Sequence, residues 1–228
     1  MLTVNSLTVS YGKTTVLDNL NLEAEEGMIH GLAGINGSGK TTLFHTIYGF
    51  IKPDTGSIQL NGQPLSRKKI ALLETQHYFY SNIKGKEYLN LFPDPGGTFS
   101  IEPWQELFRL PLDDLIEDYS TGMKKKLALT GILKLDKPIL LLDEPFNGID
   151  MEAVRIIQLL LVRLKEKGKT IIITSHILET LTSICDHIHI LENKNITRNY
   201  RKSDFEKISQ YLFGEMEEQL RNKINLGL

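Results

Sequence analysis

Residues Gly34 to Leu43 read GINGSGKTTL and follow the apolar run MIHGLA. Glycine lets backbone N–H groups approach a ligand with no Cβ in the way, and a helix N-terminus carries partial positive charge. Together they form an anion cradle where a strand hands over to a helix. The spacing Gly34, Gly39, Lys40, Thr41 fits G-x-x-x-x-G-K-[ST], in which the lysine reaches terminal phosphates and the hydroxyl holds magnesium. Ile35, Asn36, Gly37, Ser38 and Thr42 complete the loop. A nucleoside triphosphate with Mg2+ is the first expectation.

Two further groups carry chemistry. Asp143-Glu144-Pro145 follows the run ILLL, and Thr174-Ser175-His176 follows TIII. Adjacent residues on extended backbone leave on opposite sides, so Asp143 and Glu144 are expected to hold different tasks. Asp143 suits magnesium beside Thr41, since nucleotide-bound Mg2+ takes one or two carboxylates. Glu144, held near extended geometry by Pro145, suits orientation or deprotonation of the attacking water. His176 is placed to hydrogen-bond the terminal phosphate. The other histidines, His30, His45, His77, His187 and His189, read as structural.

These residues must be brought together by buried strands. The runs MIHGLA, ILLL and TIII are apolar along most of their length, as parallel strands buried on both faces are. Ligands bind beyond the carboxyl ends of such strands, so three scattered motifs converge on one crevice. Residues 2–22 read as short strands around a turn at Gly12-Lys13, and 56–61 as part of a second antiparallel hairpin. A helix is expected after Lys40. From Ile83 to Asp118 the prolines and glycines allow only short helices broken by turns, which marks an inserted lobe. A helix from about Ser120, a strand at Ile139–Leu142, a helix at Met151–Lys167 and a strand at Thr170–Ile173 follow.

At 228 residues the chain can bury a full core. The 26 basic and 28 acidic residues give a net charge of −2, which offers no broad footprint for nucleic acid. No apolar run approaches the ~20 residues that span a bilayer, and the N-terminus lacks a signal core, so a cytosolic or peripheral protein is expected. Cys185 stands alone, which excludes an intrachain disulfide.

In this order the motifs resemble those of the nucleotide-binding subunit of ATP-binding cassette transporters, over almost the whole chain. The deciding stretch is YSTGMKKKLAL, Tyr119 to Leu129, which is similar to the family's LSGGQ signature and its helix; Ser120 and Gly122 keep the serine and second glycine. The resemblance implies an α/β P-loop NTPase with a mostly parallel central sheet, an N-terminal antiparallel β subdomain and an inserted helical lobe. It implies one domain: a catalytic lobe at 1–73 and 135–202, a helical lobe at about 74–134 and a C-terminal helix at about 203–222. It further implies that Tyr11 stacks on adenine, that Ser120 and Gly122 bind the terminal phosphate of an ATP held by a second subunit, and that Asp150 communicates across that dimer. Lys124, Lys125 and Lys126, in the first turn of the predicted helix, oppose the helix dipole unless an anion is close.

Glu74, Thr75 or Gln76 can occupy the glutamine-loop position, and amide chemistry favours Gln76, reaching metal and water together. His77-Tyr78-Phe79-Tyr80 fits neither a strand period nor a helical stripe, so at least one ring should face outward. The implied partners are a second ABC ATPase subunit, identical or different, and a polytopic membrane subunit on the cytoplasmic face. The YS-x-GMK pattern and SHILE at Ser175–Glu179 resemble prokaryotic exporters of antibiotics, peptides or lipids. A GTPase would carry NKxD, and ENKNIT at Glu192–Thr197 lacks the aspartate. A mechanical cassette on ribosomes or chromosomes, another rival, usually carries a second cassette or long coiled coils, which this chain lacks.

Overall fold

A computed structural model describes residues 1–208, 210 and 211. The chain opens with two long antiparallel strands, β1 (Leu2–Tyr11) and β2 (Thr14–Ala24), turning at Gly12-Lys13 as expected, although neither is short. Then come β3 (Ile29–Ala33), α1 (Lys40–Tyr48), β4 (Thr55–Leu60), β5 (Gln63–Pro64) and β6 (Ile70–Leu73). Short helices α2 (Gly85–Asn90) and α3 (Glu102–Phe108) precede α4 (Thr121–Lys134). The chain continues through β7 (Ile139–Leu142), α5 (Met151–Glu166), β8 (Thr170–Thr174), α6 (Leu178–Ile184), β9 (His187–Glu192) and β10 (Asn195–Arg201). The C-terminal helix expected at about 203–222 lies largely outside the described residues.

Two sheets result. One has the order β2-β1-β4-β5 and is antiparallel; the other has the order β10-β9-β3-β8-β7-β6, parallel except for β10. Strands β3, β7 and β8 are buried at every residue, which is why their sequences do not alternate. Their side chains still obey the two-residue period. Leu32, Leu141 and Ile172 face a core built with α1 and the antiparallel sheet. Leu140, Leu142, Ile171 and Ile173 face the opposite core, with Leu127 of α4 and Ile157 of α5. Each fully buried Leu or Ile contributes about 1.5–3 kcal/mol, so the strand ends are held by a rigid platform.

The insert between β6 and β7 is broken into short pieces by its prolines, as expected. Leu89, Phe108, Leu110, Leu112, Ile116 and Tyr119 nevertheless join the same core as one face of the central sheet. The Tyr119 hydroxyl donates to the Pro111 carbonyl at 2.6 Å and closes the lobe's last turn before α4.

The amino ends of the parallel strands are fastened by charge. Asp186 accepts from the Ile29 N–H at 2.9 Å and from Lys165 at 2.6 Å. Burial pushes its carboxyl upward, but these donors outweigh burial and hold it below the usual carboxylate range. Beside it, His30 of β3 stacks with His187 and His189 of β9, at ring separations of 5.2 and 5.4 Å. The Glu25 carbonyl can only accept, so neutral His30 carries its proton on Nε2. Its Nδ1 lies 3.2 Å from His189 Nε2, and His189 Nδ1 lies 2.6 Å from Asn199 Oδ1. Burial, with repulsion from His189, drops the His30 pKa to about 3, and burial lowers that of His189 as well.

Candidate nucleotide site

The carboxyl ends of β3, β7 and β8 open on one cavity of about 670 Å³, lined by loop residues Asn36, Gly37 and Gly39 to Thr42 together with Asp143, Glu144, Asn147 and His176. The loop is shaped by its glycines. A Cβ at Gly34 would run into the Leu191 carbonyl oxygen, and Gly39 adopts φ 108°, where an L side chain is strained. Gly34, Ile35 and Ser38 border an adjoining hollow of about 480 Å³ that shares Val16, Asn36 and Gly37 with the first. The Ser38 hydroxyl is buried without a protein partner, as a donor meant for a ligand anion would be.

Lys40 begins α1 and donates to the carbonyls of Gly34 and Ile35 at 2.7 and 3.1 Å. Burial lowers its pKa, against the opposing pull of Glu144 and Asp143. Thr41 donates its hydroxyl to Asp143 at 2.8 Å, so residues 102 apart in sequence share one oxygen-donor pair. Buried Asp143 also accepts from the Thr174 hydroxyl at 2.6 Å. Glu144 faces elsewhere, with its carboxylate 2.9 Å from His176 Nδ1. The two carboxylates therefore have different partners.

The extended backbone expected at Glu144 is not what forms. Glu144 adopts φ 50°, in the left-handed region. Three bonds hold it there: its N–H donates to the Thr174 hydroxyl at 2.9 Å, and its carbonyl accepts from Lys125 at 2.8 Å and from the Asn147 N–H at 3.2 Å. The local preference set by Pro145 is thus overridden by contacts from two distant elements.

The amide expected at Gln76 is also displaced. Strand β6 ends at Leu73 and the chain bends at Thr75-Gln76, leaving Gln76 exposed and outside the lining. Thr75 lines the cavity instead, and Glu74 turns toward His45 of α1 at 3.0 Å. Tyr11 stands at the end of β1, 53% exposed, and Val16 rather than Tyr11 lines the cavity.

Ser120 and Gly122 also lie outside that lining, at the start of α4. The Ser120 hydroxyl N-caps α4 by accepting from the Met123 N–H at 3.2 Å. Asp150 similarly caps α5 through the Ala153 N–H and pairs with Lys126 at 3.6 Å. The three lysines find their partners within the chain: Lys124 donates to the Glu117 carbonyl, and buried Lys125 to the carbonyls of Glu144 and Asn147. Asn147 at the cavity had no role read for it in the sequence, and no sequence signal pointed to Lys125 and Thr174 as ties on the backbone of Glu144.

The model of the family described as ABC transporter matches residues 17–147, more than half of the chain. The chain belongs to the ABC transporter family. This ABC subunit is 34% identical over 217 residues to the bacitracin transport ATP-binding protein BcrA of Enterococcus faecalis, covering 87% of this chain and 70% of that one. It is 30% identical to the lantibiotic transport ATP-binding protein SrtF of Streptococcus pyogenes, covering 86% and 89%. A solved ATP-binding subunit of an ABC transporter superposes with a TM-score of 0.82 at 28% identity, covering 94% and 93%. The protein is an ATP-binding, ATP-hydrolysing ABC subunit of the kind found in transporters. Such subunits dimerise and work with membrane subunits. Among the described residues no helix is long and apolar enough to cross a membrane.

Proposed function

We propose that this subunit powers an exporter by binding and hydrolysing Mg-ATP in the crevice at the strand ends. The observation that carries the reading is the Thr41–Asp143 bond beside Lys40, because it joins the phosphate loop to the β7 carboxylate in one oxygen-donor set. Hard oxygen donors, few in number and open on one side, fit magnesium bound with phosphates rather than caged by protein. Among the described residues no cluster of three or more His, Cys, Asp or Glu competes as a metal site. The bound metal would supply neutralisation of phosphate charge. Lys40 and the N–H groups of residues 35–42 hold the phosphates, and Thr41 and Asp143 hold the metal. Glu144 orients water and takes its proton, while His176 steers the Glu144 carboxylate at 2.9 Å.

Ser120 and Gly122, lying off their own nucleotide cavity, serve the site of a second ABC subunit, identical or different. Tyr11 borders the base. The partner is a polytopic membrane subunit, and the protein sits peripherally on the cytoplasmic face. The relatives named for bacitracin and lantibiotic transport support a transport role, and one named for Nod factor export, 30% identical over 199 residues, supports export. Glu144→Gln keeps shape while removing the base; turnover should fall about a hundredfold or more with ATP binding retained. Unchanged steady-state hydrolysis in that variant removes Glu144 from the mechanism.

A further inference from the structure

We propose that Lys125 is a positioning residue for hydrolysis, tying helix α4 to the backbone of Glu144. The proposal rests on Glu144 acting on water, as read above. Lys125 is only 4% exposed, and its ammonium donates to two carbonyls, Glu144 and Asn147, each at 2.8 Å. Burying an ammonium is expensive, and an apolar side chain of similar length would fill the same space without that cost. What the charge supplies here is direction: a donor that two carbonyls of the β7–α5 turn must face.

That turn contains the strained residue. Glu144 is left-handed at φ 50°, and its backbone is tied on both sides of one Cα, by Thr174 at the N–H and by Lys125 at the carbonyl. Fixing both peptide groups fixes the direction of the Cα–Cβ bond, and with it the carboxylate that meets His176. Without Lys125 the Glu144 carbonyl keeps only the longer 3.2 Å bond from the Asn147 N–H, within the turn itself, and the tie to α4 is lost. The turn can then shift as a piece and the backbone relax toward an unstrained region. A shift of this kind moves the carboxylate from the water without touching the phosphate loop. Lys125 also lies five residues beyond Ser120 on the same helix, so the start of α4 and the carboxylate move as one unit.

The test compares Lys125→Met with Lys134→Met in the full chain. Lys134, on the same helix, also donates to a carbonyl, that of Leu89 at 3.1 Å, but away from the nucleotide cavity. Lys125→Met should lower kcat about tenfold or more, in line with the cost of misplacing a reacting group, while ATP Kd stays within about twofold. Lys125→Arg should restore part of kcat. Lys134→Met should lower Tm yet keep kcat. The double variant Lys125→Met/Glu144→Gln should be no slower than Glu144→Gln alone, because the lysine acts only through the carboxylate.

Should Lys125→Met fail to fold, Lys125→Gln takes its place in each comparison. A kcat for the Lys125 variant that tracks Tm, as a purely structural lysine would give, overturns the proposal. So does a double variant in which the two losses multiply. Glu144→Gln with parental turnover instead overturns the general-base reading, and that single variant reports on it independently of Lys125.

Discussion

The crevice at the strand ends and the insert between β6 and β7 use opposite materials. In the crevice, charged and hydroxyl groups from α1 and from the ends of β7 and β8 interlock over short distances, Thr41 to Asp143 to Thr174 and Glu144 to His176. The insert is held chiefly by Leu, Ile, Phe and Tyr side chains packed onto the central sheet, with short helices between prolines. Burial sets a position to the precision of packing, whereas directional bonds set a carboxylate's orientation. The site therefore belongs to the rigid strand ends, and the insert is joined to them chiefly by packing rather than by directional bonds.

The largest separation between the two regions should come from Lys40→Ala. It removes a charge-assisted donor worth about 1.5–3 kcal/mol, so ATP affinity should fall roughly ten- to a hundredfold with little change in Tm. Calorimetry returning the parental affinity would break the assignment of the crevice. Acid should come next, again through the core lobe alone. His30 is held neutral with a pKa near 3 against 6.5 unfolded, so its stabilisation is complete above about pH 6.5 and is lost as pH falls below it. By that difference, lowering pH from 6.5 to 5 costs ~2 kcal/mol for His30, with His189 acting in the same direction. Denaturant melts should show this slope, and His30→Gln should flatten it.

A smaller effect is expected in the insert. Tyr119→Phe strips the donor from the Pro111 carbonyl and should cost about 1 kcal/mol of stability while leaving ATP affinity unchanged. A change in nucleotide affinity would show that the two regions are less separate than their bonding implies. The smallest effect on the isolated subunit belongs to Tyr78→Ser/Tyr80→Ser. These rings are 82% and 61% exposed, so stability and ATPase activity should stay near parental. Recovery with membranes that hold the partner should drop; equal recovery would remove these rings from docking.

Much of this was legible because buried parallel strands announce themselves. ILLL at Ile139–Leu142 formed a strand with the expected bounds, and the segment following each such run contributes residues to the crevice: Asn36, Gly37 and Gly39 to Thr42, then Asp143-Glu144, then His176. The outward rings of His77-Tyr78-Phe79-Tyr80 were also foreseen, although they alternate with a two-residue period after all. What stayed hidden depends on tertiary partners. Whether a lysine answers an anion or a distant carbonyl is not written in KKK, and Lys125 chose carbonyls. The left-handed Glu144 runs against its local preference and is held by the distant Thr174 and Lys125 together with the local turn bond from Asn147. Gln76 was favoured on amide chemistry, but a bend just past β6 put Thr75 at the cavity. The histidine column had no motif at all, since only the register His30↔His187 between β3 and β9 assembles it.

The fastening by Asp186 gives the central sheet a mechanical polarity. One carboxylate clamps the start of β3, the end of α5 and the approach to β9, at the edge farthest from the phosphate loop. These bonds tie the sheet's own elements to one another, so that edge resists a change of strand spacing as a stiffened rim. A push on the sheet should accordingly leave the start of β3 and the approach to β9 in register at that rim.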